Sequence, residues 1–341
     1  MHKQRGISLI ELMIAMLIGL MITGAVTQAF LASLVTSRMQ SNMSRLQESG
    51  RFALQYLAQE SRPAGVGLGV RMPEEQICVV ANAGDPAAWA RFNRPVWGLR
   101  STGAAGQFGL AGTDELHLFS SDNCNSFLTD GELLRPGSNA NIEVTAYCPS
   151  MRQNSLVLVA DLEKAVLLRI TNNPNPNAPN PRLAHAASTN NAAAQCGGFK
   201  FSEIEFRSPA RVMGFDHRIY YVANTARVGA NGQPIRALFV RDSVAGTAEE
   251  VVDGVESMRI RYGVALPGRN AVEQYMTAAQ VEAANRWGDV RTLSFELLLV
   301  ADGQTAGADQ QVLTFDGAAV PADGRLRQVY RTVVALRNRV E

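Results

Sequence analysis

Three residues near the start of the chain have the types and spacing to do chemistry: Gly6, Ile7 and Glu11. Gly6 has no side chain and lets a peptidase approach the backbone, and a cut after it frees an amine on Ile7. Glu11 follows four residues later, one helical turn along, where its carboxylate can pair with that amine in its own or a neighbouring subunit. Such a pair offsets the cost of the charge, on the order of 2.5–3.5 kcal/mol near membrane depth. No other charge follows until Arg38. Lys3 and Arg5 supply the basic charge of a leader over residues 1–6. A secretory signal peptide ends a shorter apolar core with small residues, whereas here Gly6 precedes the run, which is therefore expected to remain in the mature protein.

These residues need a rod to carry them. At helical rise the apolar run from Ile7 spans a hydrocarbon core of roughly 30 Å with length to spare. Beyond it Val35, Met39, Met43, Leu46, Gly50, Ala53, Leu54 and Leu57 recur at three- and four-residue steps, the pattern of an amphipathic helix. Arg62-Pro63 then stops it. The expected division is a leader over 1–6, a transmembrane or filament-core helix over 7–34, its amphipathic continuation over 35–62, and a head over 63–341. The rod would be roughly 84 Å long. Coiled-coil pairing accounts for the periodic part alone but not for the leader.

The head reads as α+β with mostly antiparallel strands. Leu293, Phe295, Leu297 and Leu299 alternate with Thr292, Ser294, Glu296 and Leu298, a strand with one buried face. Further strands are expected over 114–120, 155–159, 165–171, 201–207, 217–222, 236–240, 255–262 and 328–337, and a short helix over 276–284. The Asn/Pro-rich stretch 172–181 is an extended low-complexity loop, either a break between two lobes near 172–195 or an excursion from one domain. The chain has 32 basic and 31 acidic residues, and loss of Lys3 and Arg5 leaves 30 against 31. That balance gives no support for broad binding to nucleic acid.

The leader charge, glycine, apolar run and glutamate at the fifth mature position resemble the type III signal of type IV pilins and pseudopilins. Two departures stand out: Ile7 where that family mostly has Phe, and no proline about three turns in, which implies a helix without the usual kink. The segments Gly50–Glu60, Val251–Gly263 and Arg331–Arg339 resemble the PilW family of type IV pilus minor pilins. The closing Leu336-Arg337-Asn338-Arg339 is similar in style to the J-type minor pseudopilin of type II secretion. The resemblance implies cleavage at Gly6–Ile7 by the prepilin peptidase, N-methylation of Ile7, and a minor-pilin complex that primes assembly at the pilus tip. Implied partners are other minor pilins, the major pilin, a tip-associated adhesin and the inner membrane, with roles in twitching motility and adhesion.

With the basic leader inside, the head is periplasmic and oxidising, so Cys78, Cys124, Cys148 and Cys196 are expected as disulfides. Chain proximity favours Cys124 with Cys148 and leaves Cys78 with Cys196, though three connectivities are open. The spacings contain no Cys-x-x-Cys, which argues against zinc. No cofactor, metal or small-molecule substrate is expected, and no enzyme: the sequence lacks His-Glu-x-x-His, Gly-x-Ser-x-Gly and Walker-type patterns. His117, His185 and His217 stand apart in sequence. Gly65-Val66-Gly67-Leu68-Gly69 follows a helix rather than a strand, so it reads as a hinge and not a phosphate loop. Asp114, Glu115, Asp122, Asp130, Glu132, Asp302 and Asp309 read as solvated turns before a calcium site. Two alternatives compete with the minor-pilin reading: a type II secretion pseudopilin, and a tip binding module using Trp89 and Trp97 beside Arg91, Arg94 and Arg100.

Overall fold

The computed structural model describes residues 8–65, 76–80, 94–121, 124–129, 141–186, 189–190, 195–196, 199–200, 206, 209–266, 268–269, 271–305 and 308–337. Helix α1 runs unbroken over Leu9–Ser61. Its first part, residues 9–41, is exposed along its length, about 50 Å of rod with no cover from the other described residues. From Met43 onward it packs on the head through Leu46, Gly50, Ala53, Leu57 and Ser61. Steps of four, three, four and four residues keep these on one stripe. Cover begins two turns later than the sequence pattern suggests: Val35 and Met39 remain exposed, because no strand among the described residues reaches that far down the rod. Leu57 is fully buried, a contribution of about 1.5–3 kcal/mol. Arg62 caps the helix and Pro63 follows it, as expected.

The head is β-rich and antiparallel with a single parallel pair among its described ladders, between β1 (Ile77–Val79) and β7 (Ala165–Arg169). Among the described residues nine strands form the larger sheet. Its spine is β11 (Arg211–Val228), long enough to serve different partners at its two ends. Its first half pairs β6 (Leu156–Ala160) and β4 (Ser126–Phe127). The middle and second half pair β3 (Asp114–Ser121) and β12 (Pro234–Asp242). β2 (Val96–Arg100) extends the sheet beyond β3, and β13 (Thr247–Asp253) beyond β12. β6 and β7 are buried on both faces. Leu156, Leu158 and Leu167 join the main core, while Val157, Val159, Val166 and Leu168 join a second cluster with Ile142, Leu183 and Cys148. Such strands read as continuous apolar runs, not alternations.

Gly254 turns the chain from this sheet into the next. At φ +74° it occupies the left-handed region, and its N–H bonds Arg236 O at 2.8 Å while its C=O accepts from Val300 N. The second sheet has the order β15 (Val272–Met276), β14 (Val255–Ala265), β16 (Val290–Val300), β19 (Arg327–Ala335). Helix α2 (Ala278–Ala283) follows β15 and starts with a capping box between Thr277 and Gln280. Short ladders complete the head: β5 (Asn141–Glu143) with β8 (Arg182–Ala184), β9 (Gln195–Cys196) with β10 (Phe199–Lys200), and β17 (Thr314–Phe315) with β18 (Ala318–Ala319). The expected strand over 201–207 lies outside the described residues except for Phe206. Strands at 77–79, 96–100, 247–253 and 272–276 were not anticipated; they are short or polar and owe their conformation to the neighbour they pair with.

Helix α1 and β19 run in the same direction. Asn42 donates to Thr305 Oγ1 at 3.1 Å at the lower end, Gly50 faces Tyr330 in the middle, and Arg337 N donates to Arg62 O at 3.3 Å at the top. The free rod therefore leaves the head from the end where β16 finishes and β19 begins.

Candidate functional site: the anchor helix and its junction with the head

Glu11 sits in the first turn of α1, exposed, after the N-cap Ser8. Ser8 and Glu11 have the spacing of a capping box, yet no side-chain bond caps the helix, so the carboxylate projects from the rod. Gly6, Ile7, Lys3 and Arg5 lie outside the described residues. Helix α1 is long and apolar enough to cross a membrane, with a mean hydropathy of 2.3 in its most apolar window. Its threonine hydroxyls are satisfied internally: Thr23, Thr27 and Thr36 donate to the carbonyls of Gly19, Thr23 and Ala32, four residues back. In a medium with no water to receive them, that is the arrangement required.

At the junction the rod is packed and hydrogen-bonded to the head. A Cβ on Gly50 would lie 2.4 Å from the Tyr330 ring, so only glycine lets the helix backbone rest against that ring. Higher up, Glu60 accepts from Arg218 at 2.9 Å and from the Tyr220 hydroxyl at 3.0 Å, both on β11. Burial first, and then the Glu60 charge, raise the Tyr220 phenol far above its ordinary value, so it stays a donor. Tyr56 packs edge-on against the same ring. Gly50→Leu is expected to cost about 1–3 kcal/mol or more by overpacking. Limited proteolysis at the helix–head boundary, with the β-sheet signal retained, would show it; an unchanged digestion pattern would refute the close-contact role.

Inside the head the structure joins residues that stand far apart in the chain. Glu115, His117 and His217 form one buried line: Glu115 Oε1 to His117 Nε2 at 2.9 Å, and His117 Nδ1 to His217 Nε2 at 3.1 Å. Glu115 Oε2 accepts from the amides of Phe108 and Gly109. Burial pushes this carboxyl up, but His117 and the two amides outweigh it and hold the pKa below the ordinary value. The assignment that satisfies most atoms has His117 donating to Glu115 and His217 donating to His117. That leaves His217 Nδ1 as a buried lone pair without a partner among the described residues. Burial, then charge on His117, lowers the His217 pKa well below 6.5. No spacing in the sequence signals this cluster; β3 and β11 pair so that His117 and His217 become diagonal neighbours.

A second cluster pins the β17–β18 hairpin to the second sheet. Asp316 accepts from Arg259 at 2.8 Å, Arg261 at 2.6 Å and Arg100 at 3.1 Å, and Arg100 also binds Asp114 at 3.0 Å. These pairs explain Asp114 as part of the fold, and Asp302 accepts from Ala230 N at 2.8 Å. No group of three or more His, Cys, Asp or Glu able to hold a metal occurs among the described residues. Cys124 and Cys148 form a disulfide, as chain proximity favoured. Cys78 is disulfide-bonded as well, and the side chain of Cys196 lies outside the described residues. Trp97 does not sit on an exposed loop, contrary to the binding-module alternative. It lies in β2, buried, stacked at 3.7 Å on His117. Trp89 and Arg91 are outside the described residues, and Arg94 pairs with Glu282 at 3.1 Å.

An apolar rod of membrane-crossing length, fused through a close-packed junction to a β-rich head, defines a pilin-like protein. Residues 1–27 match the prokaryotic N-terminal methylation motif, and residues 219–338 match the family model of type IV pilus-assembly protein W. The chain thus opens on a methylation motif and is similar to the type IV pilus-assembly family over the last third of its length. The second match runs from the middle of β11 through β19 and includes the Val251–Gly263 segment; Gly50–Glu60 lies outside both matches. No curated protein and no solved structure matches the chain.

Proposed function

We propose that this chain is a minor pilin that helps prime type IV pilus assembly within a minor-pilin complex at the pilus tip, with twitching motility and adhesion as its outputs. The observation that carries the reading is a methylation-motif helix left bare over residues 9–41 and joined to a PilW-like head. Bare apolar surface of this length has two stable homes, a bilayer and a bundle of like helices, and a pilin passes from one to the other. In this mechanism Lys3 and Arg5 hold the leader in the cytoplasm, the prepilin peptidase cuts at Gly6–Ile7 and methylates Ile7, and the head waits in the periplasm on a single inner-membrane span. Glu11 then pairs with the amine of a neighbouring subunit. Partners are the other minor pilins, the major pilin and a tip-associated adhesin. The chain's contribution is structural, not catalytic, and Cys78 pairs with Cys196.

Deletion of the gene is expected to abolish surface pili and leave type II secretion intact; intact pili with lost secretion would move the assignment to a J-type pseudopilin. Glu11→Val is expected to be cleaved normally yet fall about tenfold or more in sheared pili, the loss of a charge pair of 1.5–3 kcal/mol. Unchanged amounts in pili would remove that role from Glu11.

A further inference from the structure

A groove of about 410 Å³ opens between α1 and the head. Its walls are Asn42, Arg45 and Ser49 of the helix, Gln233 of the β11–β12 turn, Arg236 of β12, and Asp302 after β16. By the direction of α1 and β19 it lies at the end of the head from which the bare rod emerges, the end that faces the membrane and then the subunit layer below. Most acids around it are engaged within the chain. Glu256 holds Arg325 at 3.3 Å and Arg327 at 2.6 Å, and Asp253 holds Arg227 at 3.4 Å. Two exposed guanidiniums keep donors to offer. Arg45 has no ion-pair partner among the described residues, and Arg236 gives one bond to Glu256 O at 3.2 Å, leaving further N–H groups. Asp302 accepts from Ala230 N through Oδ1 and is exposed. Arg38 lies two turns, about 10 Å, below Arg45 on the same side of the rod and extends the basic line.

We propose that this groove receives an extended acidic segment of a neighbouring pilin-like subunit, whose carboxylate bridges Arg45 and Arg236 while a backbone N–H of the same segment donates to Asp302. Two guanidiniums lining one groove favour a carboxylate held by charge-assisted bonds, and the accepting Asp302 in the same lining selects a peptide over a bare anion. The inference rests on the pilin reading above, and names where and by what chemistry a partner is held.

The test places a photo-crosslinking amino acid at Ser49 or Gln233 of the full chain in its own membrane, with incorporation of the unaltered chain into sheared pili scored in parallel. The expected result is an adduct with a pilin-like subunit that falls at least about tenfold in R45E/R236E and persists in R45K/R236K. Formation of the Cys124–Cys148 disulfide checks that each variant folds. An adduct with lipid alone, no adduct with a pilin-like chain, or an adduct indifferent to the charge reversal would overturn the proposal. If the unaltered chain is incorporated while the groove gives no such adduct, the groove assignment fails and the pilin reading stands. If the chain is absent from pili altogether, the pilin reading itself fails.

Discussion

Gly98→Ala is expected to destabilise the head by about 3 kcal/mol, the upper end of overpacking costs. Gly98 lies in β2 opposite Leu116, on the face that meets the second sheet. A Cβ there would fall 2.0 Å from the Tyr262 hydroxyl and 2.6 Å from the Glu115 carbonyl. Neither neighbour yields easily, since Tyr262 is wedged edge-on against Trp287 and the carbonyl belongs to the adjacent strand. The Tyr262 hydroxyl is buried without a hydrogen-bond partner among the described residues, and burial raises its pKa well above 10. Tyr262→Phe alone should therefore be nearly neutral, because it removes an unsatisfied polar atom. In the double variant the ring carbon remains at 3.2 Å, a contact that small shifts relieve, and the carbonyl clash persists. Urea unfolding of the four chains in detergent should show partial rescue, with a coupling of about 1 kcal/mol or more. Strictly additive losses would mean that the two sheets do not meet at this point.

The second large effect is on acid stability. His217 is fully buried, and its folded pKa lies well below the unfolded value of about 6.5. Below pH 6.5 the unfolded chain takes up a proton that the folded chain refuses, so stability falls as pH drops, by about 1.4 kcal/mol per pH unit until the folded pKa is reached. Glu115 acts in a separate window: its lowered pKa contributes stability above the unfolded value near 4.5, lost as pH falls through the folded value. Asp216, raised above 3.8 chiefly by burial, opposes this in the acid range from 3.8 up to its folded pKa. A His217→Phe chain keeps the ring stack on Phe119, 4.2 Å away, but has nothing to titrate. Its stability between pH 6.5 and 5 should lose most of the slope, even if its value at pH 7 drops because His117 Nδ1 loses a donor. An equal slope in both chains would assign the acid sensitivity elsewhere.

Much of the architecture was legible because it is local. Helix α1 follows from an apolar run and a three-four periodicity, and its stop from Arg62-Pro63. Strand β16 follows from the alternation of Leu293 to Leu299, and strands are expected near β14 and β19 as well, but their pairing into one ladder comes from the structure. The Cys124–Cys148 bond joins residues 24 apart, and proximity was enough to favour it. The matches to residues 1–27 and 219–338 fall on the two ends where the sequence resemblance was read. Short strands such as β2 and β13 were not legible, since their own side chains do not specify them.

The amino-acid sequence by itself determined the membrane-length rod, the basic residues ahead of it, Glu11 in its apolar setting and the β-rich character of the head, all of which depend on neighbours within a few residues. Only the tertiary structure decided that the rod lies bare to residue 41, that His117 meets His217 a hundred residues away, that three arginines gather on Asp316, and that Gly50 and Gly98 admit no side chain. Those facts arise from strand register and sheet packing, in which each contact joins distant segments and its energy belongs to the pair.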